Sequence, residues 1–186
     1  QNNRALFIND INAILTIKKS TLSQINQSIN IETALARSLS ILLTCDTDVL
    51  PGPSLPDGWT NLENNLRDGG SVIIEENIDP TLSELETKRG EVQDEIDELT
   101  DTIDNFTKFT EADSSTMLST YSTLTSEGIL DTGAASIALA DEQAVLTGIK
   151  EFSKETLESP TSANPPGYLN LINYCKLNQK TVPVTP

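Results

Sequence analysis

The chain has 186 residues and a formal net charge of −16, because 28 acidic side chains outnumber 12 basic ones. It contains no histidine, which excludes the Ser-His-Asp triad, the Cys-His pair and the HExxH zinc site. The negative charge argues against nucleic acid or an anionic membrane as the partner. We therefore expect function to follow from shape and surface, with no enzymatic activity, catalytic residue, metal or cofactor.

A long amphipathic helix is predicted over residues 6–43. Apolar side chains recur with 3-4 spacing over five heptads, and neither proline nor glycine occurs before Leu50. Lys18 and Glu32 interrupt the stripe. A seven-residue period of this length is typical of a helix that supercoils against a partner. The predicted seam positions are Ile8, Ile11, Leu15, Leu22, Ile25, Ile29, Leu39 and Leu43, and Ile14, Leu35 and Leu42 widen the stripe.

Residues 46–79 break this pattern with a concentration of proline and glycine, which indicates turns. Between the turns we expect a short helix over residues 61–67 and a brief strand over residues 71–74. Trp59, the one tryptophan of the chain, lies in this segment. It either anchors an interface with a partner or fixes the loop to its own bundle, and the length of the loop favours the second role.

A second long helix is predicted from Asp79 to about Thr110. Asp79 followed by Pro80 fits an N-cap and a first helical position, and residues 81–84 match a capping box. Apolar positions then repeat every seven residues in two registers, which makes this the strongest coiled-coil stretch of the chain. Its seam is Leu82, Leu85, Val92, Ile96, Leu99, Ile103 and Phe106.

Acidic residues dominate the second helix. Residues 75–113 carry fourteen acidic and three basic side chains, whereas residues 1–45 carry two acidic and four basic ones. This contrast favours pairing of the two helices. The spacing of Asp94, Asp97, Asp101 and Asp104 places them on one helix face. Such a face is usually solvated, although casual binding of divalent ions is an alternative.

The C-terminal third is predicted to contain a weak helix to about residue 125 and an alanine-rich helix over residues 134–158. The expected buried face of the second of these is Ala138, Val145, Ile149 and Phe152. Residues 159–186 are rich in proline and are predicted to form an extended arm, which docks either on its own bundle or on a neighbouring subunit. The candidate partner contacts of the chain are Trp59, Tyr168, Leu169, Ile172 and Tyr174.

Two cysteines, Cys45 and Cys175, are separated by most of the chain. They could close one disulfide across a long loop or remain two half-buried free thiols. No other feature of the sequence marks an oxidising compartment, so free thiols are favoured.

These patterns predict an all-α fold: a long helical hairpin or coiled-coil bundle over residues 1–158, with residues 46–79 as a tip insertion and residues 159–186 as an extended C-terminal arm. The first seam is too long for the later helices to cover, so we expect a homo-oligomer, with a trimer as the first hypothesis. The favoured function is a structural or assembly subunit of a particle or filament, such as a virion neck, fibre or decoration protein. The alternative is a secreted or cell-surface helical binding module that uses the Trp59 loop.

Overall fold

The computed structural model describes residues 2–45, 63–158 and 168–179. These residues are almost entirely helical and contain no strand, so the predicted all-α class is confirmed. Trp59 and the predicted turns of residues 46–62 lie outside the described residues. The elements are α1 (Asn2–Thr44), α2 (Glu63–Ile73), a π-helical turn (Ile74–Ile78), α3 (Asp79–Lys108), a 3-10 turn (Glu111–Asp113), α4 (Ser114–Ser126), α5 (Thr132–Glu158) and α6 (Tyr168–Gln179).

The region between α2 and α3 corrects two sequence predictions. Residues 71–74 are helical, not a strand, and Asp79 is not an N-cap, because its backbone is helical and its N–H donates to the carbonyl of Ile74. Pro80 lacks an N–H and its ring crowds the carbonyl four residues earlier, which normally ends a helix. The wider π-helical turn lets the helix continue through the proline.

The described residues divide into two compact units. Unit 1 comprises Gln1–Gln27 with Leu85–Leu146, and unit 2 comprises Ser28–Glu84 with Thr147–Pro186. Helices α1, α3 and α5 therefore each contribute one part to unit 1 and the other part to unit 2.

Unit 1 has a core in which aromatic rings fill the centre. Phe106 of α3 is almost completely buried, and its ring lies 6.5 Å from that of Phe7 and 5.8 Å from that of Phe109. Phe7 in turn stacks on Tyr121 of α4 at a centroid distance of 3.8 Å. Aliphatic side chains of α1 and α3 complete the core, namely Ile11, Ile14, Leu15, Ile96 and Leu99.

Polar contacts fix the direction of α1 and α3 within unit 1. The Arg4 guanidinium donates to the carbonyl of Phe109, and Lys18 pairs with Glu95 at 2.5 Å. The parts of α1 and α3 that belong to unit 1 are therefore antiparallel.

Unit 2 has a mainly aliphatic core to which α6 contributes. Leu39 and Leu42 of α1 and Ile78 of the π-helical turn pack with Leu171 and Ile172 of α6. The prediction of an extended arm is therefore wrong for residues 168–179, which are helical. The apolar side chains on the inner face of this helix are buried in the core of unit 2.

Cys45 and Cys175 form a disulfide, so the expectation of two free thiols is wrong. Their Cα atoms are 5.8 Å apart, within the usual range for a disulfide, and both residues are buried. Burial of Leu42 and Ile172 in the same core brings the two cysteines together, a proximity that residues 130 positions apart do not reveal in sequence.

The predicted inner face of α5 is confirmed except at Ala138. Ile149 is buried, and Val145 and Phe152 are half-buried, whereas Ala138 is exposed and Leu146, which was not predicted, is buried. Small and polar residues dominate this helix, so its apolar periodicity defines the face less sharply than in α1 or α3.

Candidate functional site

A cleft of about 440 Å³ lies on unit 1 and is the candidate site for a ligand or partner group. Three elements form its wall: α1 contributes Lys18, α3 contributes Glu95 and Glu98, and the α4–α5 connection contributes Glu127 and Asp131. The remaining lining residues are Leu99, Gly128, Ile129, Ala134, Ala135 and Ala138.

The local sequence explains why this cleft is open. Gly128 adopts φ of 75°, a left-handed conformation that glycine reaches without strain, and ends α4, where the N–H of Ile129 donates to the carbonyl of Leu124 at 3.1 Å. Asp131 then starts α5, because its Oδ1 accepts the N–H of Ala134 at 3.1 Å. The first turns of α5 present alanines, whose side chains are too small to fill the space between the helices.

The charge of the cleft is strongly negative. Four carboxylates line it, and its one ammonium group, that of Lys18, is already paired with Glu95. The cleft can therefore attract a cationic side chain through the three remaining carboxylates. Among the described residues, no group of three acidic or cysteine side chains has the arrangement of a metal site.

A second polar feature lies inside unit 2, on the inner face of α1. Ser28 and Glu32 are spaced one helical turn apart and are 0% and 3% exposed. The hydroxyl oxygen of Ser28 and Oε2 of Glu32 find no hydrogen-bond partner among the described residues. Desolvation raises the pKa of the Glu32 carboxyl from 4.5 to about 7.

The disulfide end of unit 2 is fixed by two further contacts. Arg67 of α2 donates to the carbonyl of Cys45, where α1 has ended. The side chain of Tyr168 lies directly over Gly69, so that a Cβ atom at this glycine would be 2.5 Å from the tyrosine hydroxyl oxygen. Burial raises the pKa of the Tyr168 hydroxyl.

The predicted seam positions are almost all covered within the single chain. Leu43 is the exception and is 41% exposed. The half-buried positions are Ile8, Leu22, Leu82, Val92 and Ile103. The buried positions are Ile11, Leu15, Ile25, Ile29, Leu39, Leu85, Ile96, Leu99 and Phe106.

The candidate partner contacts in α6 have a different environment from the one predicted. Tyr168 and Ile172 are buried in the core of unit 2, so they are not available to a partner. Leu169 and Tyr174 are half-buried. The acidic face of α3, by contrast, is solvated as expected, since Asp94, Asp97, Asp101 and Asp104 are all exposed.

Sequence reasoning missed the cleft and the Ser28–Glu32 pair. Glu127 and Asp131 lie between two predicted helices, and nothing in a linear pattern places them beside α3. Glu32 could have been found, since it is an acidic residue at a seam position where apolar side chains are the rule.

Comparison with protein-family models, with curated proteins and with solved structures finds no match to this chain. Within the described part of the chain, every helix is too short or too polar to cross a bilayer.

Proposed function

We propose that the protein is a secreted or cell-surface helical binding module, without enzymatic activity, that contacts a basic protein partner. The observation that carries this proposal is the buried disulfide between Cys45 and Cys175. Disulfides of this structural kind persist in oxidising compartments and are rare where glutathione keeps thiols reduced.

The charge distribution supports a basic partner. The chain carries sixteen more acidic than basic side chains, and the unit 1 cleft concentrates carboxylates in a concave surface. A surface that carries charge of one sign accelerates association with a partner of the opposite charge, and salt weakens this attraction. Trp59, the sequence-based candidate for a contact, lies outside the described residues, so the cleft is the better-supported contact.

A structural or assembly subunit is the second candidate function. Its support is the set of large apolar side chains that remain exposed, with Leu118, Ile137 and Leu177 at 55–67%. Such residues are also normal when scattered singly. Coverage of the long seam by the chain itself removes the reason for expecting a trimer, so a virion or filament subunit is the weaker proposal.

A further proposal concerns how the two long helices pair. We propose that α1 and α3 pair as an antiparallel coiled-coil hairpin. Support comes from the order of contacts in unit 1, where Arg4 meets Phe109 and Lys18 meets Glu95, and from the seven-residue period of both helices. The tip insertion predicted over residues 46–79 is not retained for residues 63–79, which are helical and contribute Ile73, Ile74 and Ile78 to the core of unit 2.

Light scattering after gel filtration tests the two functions against each other. A binding module should have a mass near 20.2 kDa under non-reducing conditions, whereas a mass near three times this value would favour the structural subunit.

A peptide-binding experiment tests the contact. We expect a fluorescent oligolysine peptide to bind at low ionic strength and to be released by salt. Reversing two cleft charges, with Glu98→Lys and Glu127→Lys, should weaken binding more than the matched reversals Asp101→Lys and Asp104→Lys on the exposed face of α3. Equal losses in the two double variants would contradict a contact at the cleft, and absence of binding would contradict a basic partner.

A further inference from the structure

The inner face of α1 in unit 2 contains a carboxylate that lacks a compensating charge. Glu32 lies in the apolar stripe between Ile29 and Leu35, both of which are buried, and is itself 3% exposed. Buried ions are normally paired, because their desolvation costs several kcal/mol. The described residues of unit 1 show the paired case, where Glu142 is 8% exposed and its Oε1 lies 3.1 Å from Nζ of Lys88.

The groups that face Glu32 from the neighbouring elements cannot supply this charge. In the described part of unit 2, the other titratable or charged side chains that are at least half-buried are Arg67 on α2 and Tyr168 and Tyr174 on α6. Arg67 is bound to the carbonyl of Cys45, which is thirteen residues, or about 20 Å of helix, from Glu32.

The two tyrosines lie elsewhere in the unit 2 core. Tyr168 lies over Gly69, and Tyr174 packs on the core cluster formed with Leu39 and Leu42. The parts of α3 and α5 that belong to unit 2 turn only neutral side chains inward, such as Leu82 and Phe152, and their charged residues are exposed.

Ser28 makes the arrangement a polar pair rather than an isolated acid. Its hydroxyl is fully buried one turn before Glu32, and each residue has an oxygen without a partner. A protonated carboxyl can donate a hydrogen bond that a carboxylate cannot, and a neutral group costs far less to bury than an ion.

We infer that the Ser28–Glu32 pair is a proton-sensitive element that tightens the packing of unit 2 in acidic surroundings and loosens it above neutral pH. When Glu32 carries a proton, the inner face of α1 is uncharged and the core closes over it. When the proton leaves, the buried carboxylate must recruit water or move toward it, and either change opens the packing around the C-terminal half of α1. An exported protein that passes between compartments of different acidity would therefore change its stability without a ligand.

The direction of the effect follows from linkage. Desolvation holds the pKa of Glu32 at about 7 in the folded chain, above its ordinary value of 4.5. The folded state binds the proton more tightly, so this contribution is complete below pH 4.5 and is lost as pH rises toward 7. For this group alone, the unfolding equilibrium constant should rise roughly 30-fold between pH 5.5 and pH 8.

Urea unfolding of the full, disulfide-bonded chain at these two pH values tests the inference. Glu32→Gln keeps the shape of the side chain and removes its titration, so the rise of its unfolding constant between pH 5.5 and pH 8 should be about 30-fold smaller than that of the unsubstituted chain. Glu155→Gln, on the exposed face of α5 in unit 2, is the matched control and should retain the rise. Identical pH dependence in the Glu32→Gln variant and the unsubstituted chain would overturn the inference.

A second measurement avoids any variant that fails to fold. Carbon-13 labelling of all glutamate carboxyls allows their titration to be followed by NMR in the unsubstituted protein. One carboxyl should titrate near pH 7, well separated from the exposed glutamates. Titration of every carboxyl below about pH 5.5 would show that Glu32 is not held neutral in the core.

Discussion

The two units of this chain maintain their folds by different means. Unit 1 uses an aromatic centre around Phe106 and ion pairs at its edge, such as Lys18 with Glu95. Unit 2 has a mainly aliphatic core, in which Tyr168 is the buried aromatic residue, and a covalent link between the end of α1 and α6. Unit 2 also contains Glu32, a buried acid without a counter-charge, whereas Glu142 of unit 1 pairs with Lys88 through Oε1, although its Oε2 lacks a hydrogen-bond partner among the described residues.

This difference corresponds to how each unit is assembled from the chain. Within unit 1, α3, α4 and the first part of α5 follow one another through short connections. In unit 2, α6 begins at Tyr168 and packs on residues of α1 more than 120 positions earlier. Unit 1 also closes a long loop, since Phe7 of α1 stacks on Tyr121 of α4, but in unit 2 a disulfide offsets part of this entropic cost in the unfolded state.

Loss of the disulfide should have the largest effect and should fall on unit 2. The loop it closes spans 130 residues, for which the chain-entropy estimate is about 5 kcal/mol of stability. The double variant Cys45→Ser with Cys175→Ser should therefore unfold at lower urea concentration. Hydrogen exchange should show the protection of α6 falling before that of α4.

The control for this prediction is the unsubstituted chain with and without a reducing agent. Reduction should reproduce the behaviour of the double variant, and the reducing agent should leave the double variant unchanged. Equal loss of protection in α4 and α6 would show that the disulfide supports both units, which would remove the distinction between them.

Truncation of the Phe106 side chain should be the corresponding destabilising change in unit 1. The ring is 1% exposed and contacts two other aromatic rings, so Phe106→Ala should cost about 3–5 kcal/mol through lost burial and an unfilled cavity. Hydrogen-exchange protection should fall in α4 before it falls in α6. Leu6→Ala, at a position that is 58% exposed, is the control and should change stability by less than about 0.5 kcal/mol. A larger loss of hydrogen-exchange protection in α6 than in α4 would contradict the assignment of Phe106 to the core of unit 1.

The sequence predicts the long helices well because their apolar period is a local property. Residues 6–43 and 79–110 were predicted as helices, and both ranges are helical nearly throughout. Errors occur where distant contacts decide the structure. The strand predicted over 71–74 is helical because Ile73 and Ile74 pack on the unit 2 core, and Pro80 is accommodated by the π-helical turn.

The candidate site was less predictable than the fold. The cleft requires Lys18, Glu98 and Asp131 to meet from three separate elements, and no spacing in the sequence encodes that meeting. The disulfide has the same character, because the pairing of two cysteines depends on where α6 docks. Contacts of this kind, between residues far apart in sequence, can be identified only once the packing of the helices is known.

A smaller effect is expected at two adjacent glycines of α2, and it tests how closely α6 packs on this helix. At Gly69 a Cβ atom would lie 2.5 Å from the hydroxyl oxygen of Tyr168, whereas at Gly70 the nearest atoms of Leu39 and Leu42 are 4.0 Å away. Gly69→Ala should destabilise unit 2 by about 1–3 kcal/mol through overpacking. Gly70→Ala should be neutral or stabilising by up to about 1 kcal/mol, because alanine favours the helix.

A rescue experiment identifies the cause of the Gly69 effect. Tyr168→Phe removes the oxygen that the new methyl group would meet, so the double variant Gly69→Ala with Tyr168→Phe should recover most of the lost stability. Thermal unfolding of the four chains of this cycle measures the coupling between the two sites. Absence of coupling would mean that Tyr168 does not lie over Gly69 in solution.

The smallest effect is expected for the ion pair between Lys18 and Glu95 at the edge of the unit 1 cleft. Their side chains are 21% and 49% exposed, so water and salt screen the attraction. A double-mutant cycle with Lys18→Ala and Glu95→Ala should give a coupling of about 0.2–1 kcal/mol that fades in 1 M salt. A coupling above about 2 kcal/mol that persists in salt would contradict this expectation. Unit 1 would then depend on one specific contact as unit 2 depends on its disulfide, and a partner that competes for Lys18 or Glu95 could destabilise the unit to which it binds.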